Sequence, residues 1–293
     1  MNGILDLLTG KETDSFLLYQ QDFSCRYQLT SKNCFLMEKN YPPVNVSAKS
    51  TINLRQVVDR KNIMTRIAVA EYASESDHEV TNKVLQDLHP YTKINPVTTV
   101  NRKNTGTIKG IANMLDMWEK WEIWKNGQLP AIEPNERKQK LIIKNYENGL
   151  KLFEENFTKN LQNVLLLPEC YRFTKDNHAE SGTVHTHYSR FIEKLELLYW
   201  LEKETFTDDE TIVKLTLRTL SDVNEKEKEE LISAYYELYY PEFSFEDYKF
   251  EIEVEYTFDK FTSAIINGKL HLTEQIHPDF VFTTIMELAK TIV

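Results

Sequence analysis

The chain has 293 residues, 41% hydrophobic and 27% charged, with 45 acidic against 35 basic side chains and a net charge of −10. That profile is of a folded globular protein able to bury a core, and it excludes a low-complexity or disordered class. Cys25, Cys34 and Cys170 follow no metal or redox spacing, as expected of reduced thiols in the cytoplasm, and no run of eighteen apolar residues offers a membrane-spanning helix.

The opening "MNGILDLLTGKETD" lacks the basic start of a secretory leader. Glycine (8) and proline (9) are scarce while Lys, Asn, Ile, Tyr and Glu are common, a bias that matches AT-rich coding in a low-GC bacterium or its phage. Scarce glycine also argues against phosphate cradles, which need it where backbone approaches a ligand. Neither GxGxxG nor GxxxxGK[ST] occurs, and "NTGTIKG" at 104–110 is taken as a helix start.

From Ser15 to Asn104, "SFLLYQ", "NCFLMEK", "INLRQVV" and "RIAVAEY" predict short strands, with "DHEVTNKVLQDLH" a helix behind them. "PVTTVNRKNTG" is expected to be a connector. Thr107 then caps an expected helix to Asn126 that turns Ile111, Met114, Leu115, Trp118 and Trp121 to one face. Trp118, Trp121 and Trp124 at helical spacing predict core rather than a stacking platform for nucleic acid. A long helix after Pro134 carries Ile142, Tyr146, Leu150, Phe153, Phe157, Leu161 and Val164 in one stripe. Helices are further expected from Val184 to Tyr199, in "DDETIVKLTLRTL", in "SDVNEKEKEELISAYYELYY", and from Pro278 through Ala289; "KFEIEVEYTF" and "GKLHLTEQ" form a hairpin. The expected fold class is therefore α+β: a mixed domain over 1–104, a helical scaffold over 105–220, and an acidic, aromatic-rich α+β region over 221–293.

The last region holds the charge. Between Ser221 and Asp259 thirteen acidic residues face three lysines, and the rest of the chain balances at thirty-two of each sign. Period two in "KFEIEVEYTF" sends Phe250, Ile252, Val254, Tyr256 and Phe258 to one face and Glu251, Glu253 and Glu255 to the other. At about 3.3 Å per residue, alternate carboxylates sit roughly 6.6 Å apart, near the phosphate spacing of an extended nucleic-acid strand. With Glu242, Glu246 and Asp247 and the doublets Tyr235, Tyr236, Tyr239 and Tyr240, they form the expected partner-binding set, rings as anchors and charge for steering. The plainer reading of the comb is a solvated sheet edge whose charges discourage strand pairing.

Metal-ligating side chains crowd only in the loop after Cys170, where His178, Glu180, His185 and His187 gather. Residues two apart on a helix point about 200° apart, so His185 and His187 are not expected to converge there. A metal-dependent hydrolase on His178, His185 and His187 is the alternative, and a self-assembling structural protein is another. The favoured expectation is a non-enzymatic inhibitor without catalytic residues or cofactor, binding a protein partner with a basic surface, with no direct nucleic acid or membrane contact, and forming a homo-oligomer. Its concrete form is a phage anti-defence protein that blocks the nucleic-acid-binding surface of a bacterial nuclease or helicase complex, for example of Gabija type, in the host cytoplasm.

Overall fold

The computed structural model describes residues 20–37, 41–59, 62–171, 184–191, 196–219, 229, 233 and 249–291. Its frame is one antiparallel sheet of ten strands, contradicting the expectation of a mainly helical region after an α+β domain. The first five strands are β1 (Phe23–Met37), β2 (Val44–Asp59), β3 (Asn62–Ser76), β4 (Val97–Lys103) and β5 (Ile108–Ile111). A separate hairpin follows, of β6 (His185–Tyr188) and β7 (Glu196–Tyr199). The large sheet resumes with β8 (Leu201–Asp208), β9 (Ile212–Thr219), β10 (Lys249–Asp259), β11 (Ile265–His277) and β12 (Phe280–Thr291).

The order across the sheet is β5-β4-β3-β2-β1-β12-β11-β10-β9-β8. Each half is a meander of sequential antiparallel neighbours, and the halves join where β1 pairs β12 from Arg26 opposite Thr291 to Met37 opposite Phe280. Strands from all three expected segments therefore lie in one sheet, and the 104/105 boundary falls in the turn between β4 and β5.

Inner positions of β9 to β12 are mainly apolar by alternation: Val213, Leu215 and Leu217, then Ile252, Val254, Tyr256 and Phe258, then Leu270 and Leu272, then Phe280, Phe282 and Leu288, with Glu274 and Thr284 as buried polar members of the same rows. The helices between the meanders are α1 (Glu79–Thr92), α2 (Met114–Gly127), α3 (Leu129–Ile132), α4 (Glu136–Lys151), α5 (Phe153–Thr158) and α6 (Leu161–Leu166). The long stripe expected after Pro134 is thus split over α4, α5 and α6. Phe157, Leu161, Val164 and Leu165 pack into the main core against the inner face, whereas Met117, Trp121, Trp124 and Leu150 form a second core among the helices. Trp121 and Trp124 are buried core, with the Trp121 ring stacked on Tyr146 at 4.1 Å.

Two glycines let backbone come close. A Cβ on Gly268 in β11 would lie 2.9 Å from Leu165 Cδ1, so its absence seats α6 on the sheet. Gly106 has φ +97° and a Cβ there would lie 2.7 Å from the Pro168 carbonyl oxygen. Buried Arg102 staples the same spot, donating to the carbonyls of Gly106 at 2.9 Å and Pro168 at 2.6 Å.

Further expectations fail for identifiable reasons. The terminal helix from Pro278 is strand β12, because Phe280, Phe282, Met286 and Leu288 also fit period two and β1 and β11 stand on either side to pair with it. "IVKLTLRT" is strand β9, its alternation outweighing the acidic cap-like residues before it. The stretch from Val184 to Tyr199 contains β6 and β7, and "VTTVNRK" is β4 rather than a connector. Thr107 precedes β5, and the helix begins only at Met114.

Candidate functional site

Glu251, Glu253 and Glu255 project from the outer face of β10, opposite the buried apolar row. The strand is no edge. It pairs with β11 on one side and β9 on the other, which removes the reading of the comb as protection of an open edge. Its cross-strand neighbours are partly cationic, with Glu255 opposite Lys269 and Glu253 opposite both His271 and Arg218. Arg218 grips Glu253 through Nε at 2.9 Å and Nη2 at 2.8 Å, and reaches Glu204 Oε1 with Nη1 at 2.9 Å. Hydrogen bonding to Glu253 and the charges of Glu253, Glu204 and Glu251 raise the affinity of this guanidinium for its proton. Glu202 stands opposite Arg218 in register on β8, and the carboxylates of Glu204, Glu251 and Glu253 act on this one arginine. Beside them an outer-face depression of about 480 Å³ carries Lys214, Glu255, Lys269 and Glu287 on adjacent strands. The comb is therefore a partly compensated acidic mosaic on a rigid surface. Of the expected partner-binding set, Glu242, Glu246, Asp247, Tyr235, Tyr236, Tyr239 and Tyr240 lie outside the described residues, as does His178.

On the inner face, His185 and His187 lie on strand β6 rather than a helix, so spacing by two puts both on the side facing the sheet. Each is engaged by its own neighbours. His185 stacks on Tyr199 across the hairpin at 5.2 Å. His187 stacks on Phe250 at 5.1 Å and sets Nε2 3.3 Å from Glu274 Oε2. Glu274 is fully buried, and its carboxylate also accepts from the Ser189 hydroxyl at 2.5 Å and the Arg190 N–H at 2.9 Å. This cluster ties the hairpin to β11, and the strand pattern gave no hint of it because Glu274 occupies an inner position where an apolar residue is expected. Among the described residues no group of three or more His, Cys, Asp or Glu side chains is arranged to hold a metal ion.

Next to it, a cavity of about 30 Å³ is lined by Cys170, His185, Glu169 and Tyr256 among others, room for about one water. Burial pushes the Cys170 thiol up to about 12 and the His185 imidazole down to about 4. Both are neutral at physiological pH, which suits hydrogen bonding and packing rather than thiolate attack.

Among the described residues no helix is long and apolar enough to cross a membrane. No protein-family model matches the chain, and no curated protein matches its sequence. A solved structure described as "Lipid-protein interactions in lipovitellin" is similar with a TM-score of 0.40 and 8% identity over 93% of this chain. The chain spans 25% of that structure's length, and a likeness this distant carries no argument.

Proposed function

We propose that this chain is a non-enzymatic binding protein that docks the acidic outer face of β8 to β10 on a basic surface of a protein partner. One observation supports the reading above others: Glu204, Glu251 and Glu253 share a single Arg218 on the outer face, with Glu251 and Glu253 on β10, a strand hydrogen-bonded on both sides. A net negative field on a rigid face attracts basic surfaces, repels nucleic acid and loses little entropy on docking. The concrete form is an inhibitor acting in a bacterial cytoplasm, where it occupies the nucleic-acid-binding surface of a defence nuclease or helicase complex, of Gabija type for example. The AT-rich coding bias favours a phage origin for such an inhibitor. The same reading includes a homo-oligomer whose contact comes from the C-terminal third, from about Ser221.

The test compares wild type with the triple variant Glu251→Lys, Glu253→Lys, Glu255→Lys as baits in a bacterial lysate. A partner retained by the wild type, lost by the folded variant and released by added double-stranded DNA is expected. An identical set of bound proteins for both baits sinks the proposal.

A further inference from the structure

In the first half of the sheet one row crosses four strands in register: Ser24 on β1, Arg55 on β2, Arg66 on β3 and Thr99 on β4. The positions beside them, Cys25, Leu54, Gln56, Thr65, Ile67 and Val100, are buried, so period two turns this row to the outer face. Arg55 and Arg66 are exposed and directly opposed, and exposed Arg26 lies diagonal to Arg55, two positions beyond Ser24. Like charges directly opposite on neighbouring strands destabilise a sheet.

The described chain does not neutralise them. Among the described residues, Arg26, Arg55 and Arg66 make no ion pair and no side-chain hydrogen bond. Asp22, just before β1, already accepts from the Val58 N–H at 2.7 Å, and Glu71 from the Thr51 hydroxyl at 2.9 Å. Asp59 is further along β2, roughly 13 Å from Arg55 by strand geometry. The acidic face is further still. In the sheet order β10 lies four strands from β2, roughly 19 Å at the usual strand spacing and beyond two Debye lengths at physiological salt.

A second feature adjoins the arginines. Val57 and Met64 are directly opposed two positions along the same strands, and Met64 is 47% exposed. An apolar ledge thus lies roughly 6.6 Å from the paired cations. Ser24 and Thr99, which flank the pair, are short and leave both guanidinium groups open.

We propose that this row binds a small organic phosphate monoester. Its phosphate oxygens accept from the guanidinium groups of Arg55 and Arg66, Arg26 adds attraction, and its apolar body rests on Val57 and Met64. Binding replaces a like-charge repulsion with charge-assisted hydrogen bonds. A long polyanion laid across this face would run onto the acidic mosaic of β8 to β10, which repels it, whereas a small phosphate does not reach that far. The row and the mosaic use different strands, so either reading can fail without the other.

The experiment follows thermal unfolding of the full chain at low salt with phenyl phosphate, with phenol and with a short double-stranded DNA. Sodium sulfate at matched ionic strength controls for bulk anion effects. Expected are a saturable rise in melting temperature with phenyl phosphate, none with phenol, and roughly tenfold weaker apparent affinity in Arg55→Gln and in Arg66→Gln. Without ligand, both variants should melt at or above the wild type, with the gap closing as salt is added, because the opposed charges are gone. No saturable rise beyond that of sulfate, an undiminished response in both variants, or a larger response to DNA than to phenyl phosphate overturns the proposal. So does a wild type that melts above both variants, since the pair would then already be compensated.

Discussion

His185 shows how a single side chain couples this fold to pH. Burial holds its imidazole near 4 in the native state, against 6.5 unperturbed. The unfolded chain therefore binds a proton before the native chain does, so stability is full above about 6.5 and declines as pH falls toward 4. By pH 5 this one group should cost about 2 kcal/mol, and His185→Phe, which keeps a ring against Tyr199, should remove that increment. Urea unfolding of both proteins at pH 7 and pH 5 measures the difference; equal losses would assign the acid sensitivity to other groups. Thiol reactivity follows burial in the same way. Cys25 and Cys170 are buried and Cys34 is half-buried, so Ellman's reagent should modify Cys34 quickly in the native protein and the other two only after unfolding. Tyr256 donates its buried hydroxyl to the Val164 carbonyl at 2.7 Å. Tyr256→Phe should leave that acceptor unpaired and cost about 1–2 kcal/mol in the same unfolding assay.

The two faces of β10 should respond oppositely to substitution. Ile252 is fully buried between Leu272 on β11 and Thr219 at the end of β9, whose hydroxyl accepts from the Ile252 N–H at 3.1 Å, so Ile252→Ala should cost about 2–5 kcal/mol and Ile252→Asp should prevent folding. Reversing Glu251, Glu253 and Glu255 to lysine alters the outer face only and should preserve the circular dichroism spectrum. With a partner in hand, the reversal should slow association and flatten its salt dependence; unchanged kinetics would exclude steering by this face. On β11, Gly268→Ala puts a methyl group 2.9 Å from Leu165 Cδ1 and should destabilise by about 1–3 kcal/mol. If that close approach is the cause, Leu165→Ala in the same chain should offset part of the loss, and a double-mutant cycle reads the coupling.

At the scale of the whole molecule, the pairing of β1 with β12 makes the two meanders one body. Removing the chain from Phe280 onward would expose the inner edges of both halves at once, so the truncation is expected to abolish cooperative unfolding rather than trim the structure. The open ends of the sheet are β5 and β8, and β8 is the longer and more exposed, lined by Glu202, Lys203 and Glu204. Self-association therefore has to overcome carboxylate repulsion. Light scattering at low and high salt should show association strengthening with salt if apolar rings from the C-terminal third drive it. A monomer under both conditions excludes it.

Local pattern alone determined the two faces of β10, its hairpin with β11, helix α1 and the core role of Trp121, because each depends on periodicity within one segment. Alternation in "IVKLTLRT" is equally legible, and its unbroken period of two outweighs the cap-like acidic residues before it, which are weaker signals. Other features depended on residues far apart in sequence. Whether Phe280 to Ala289 became helix or strand was decided by the hydrogen-bonding edges of β1 and β11, and whether the Glu251 comb lay at an edge was decided by β9. The pairing of His187 with Glu274, eighty-seven positions apart, and that of Asn95 with Tyr146 exist only once the sheet has closed around α6 and the helices have packed beside it. Such contacts depend on which groups tertiary packing brings within a few ångströms, a distance that no local period encodes.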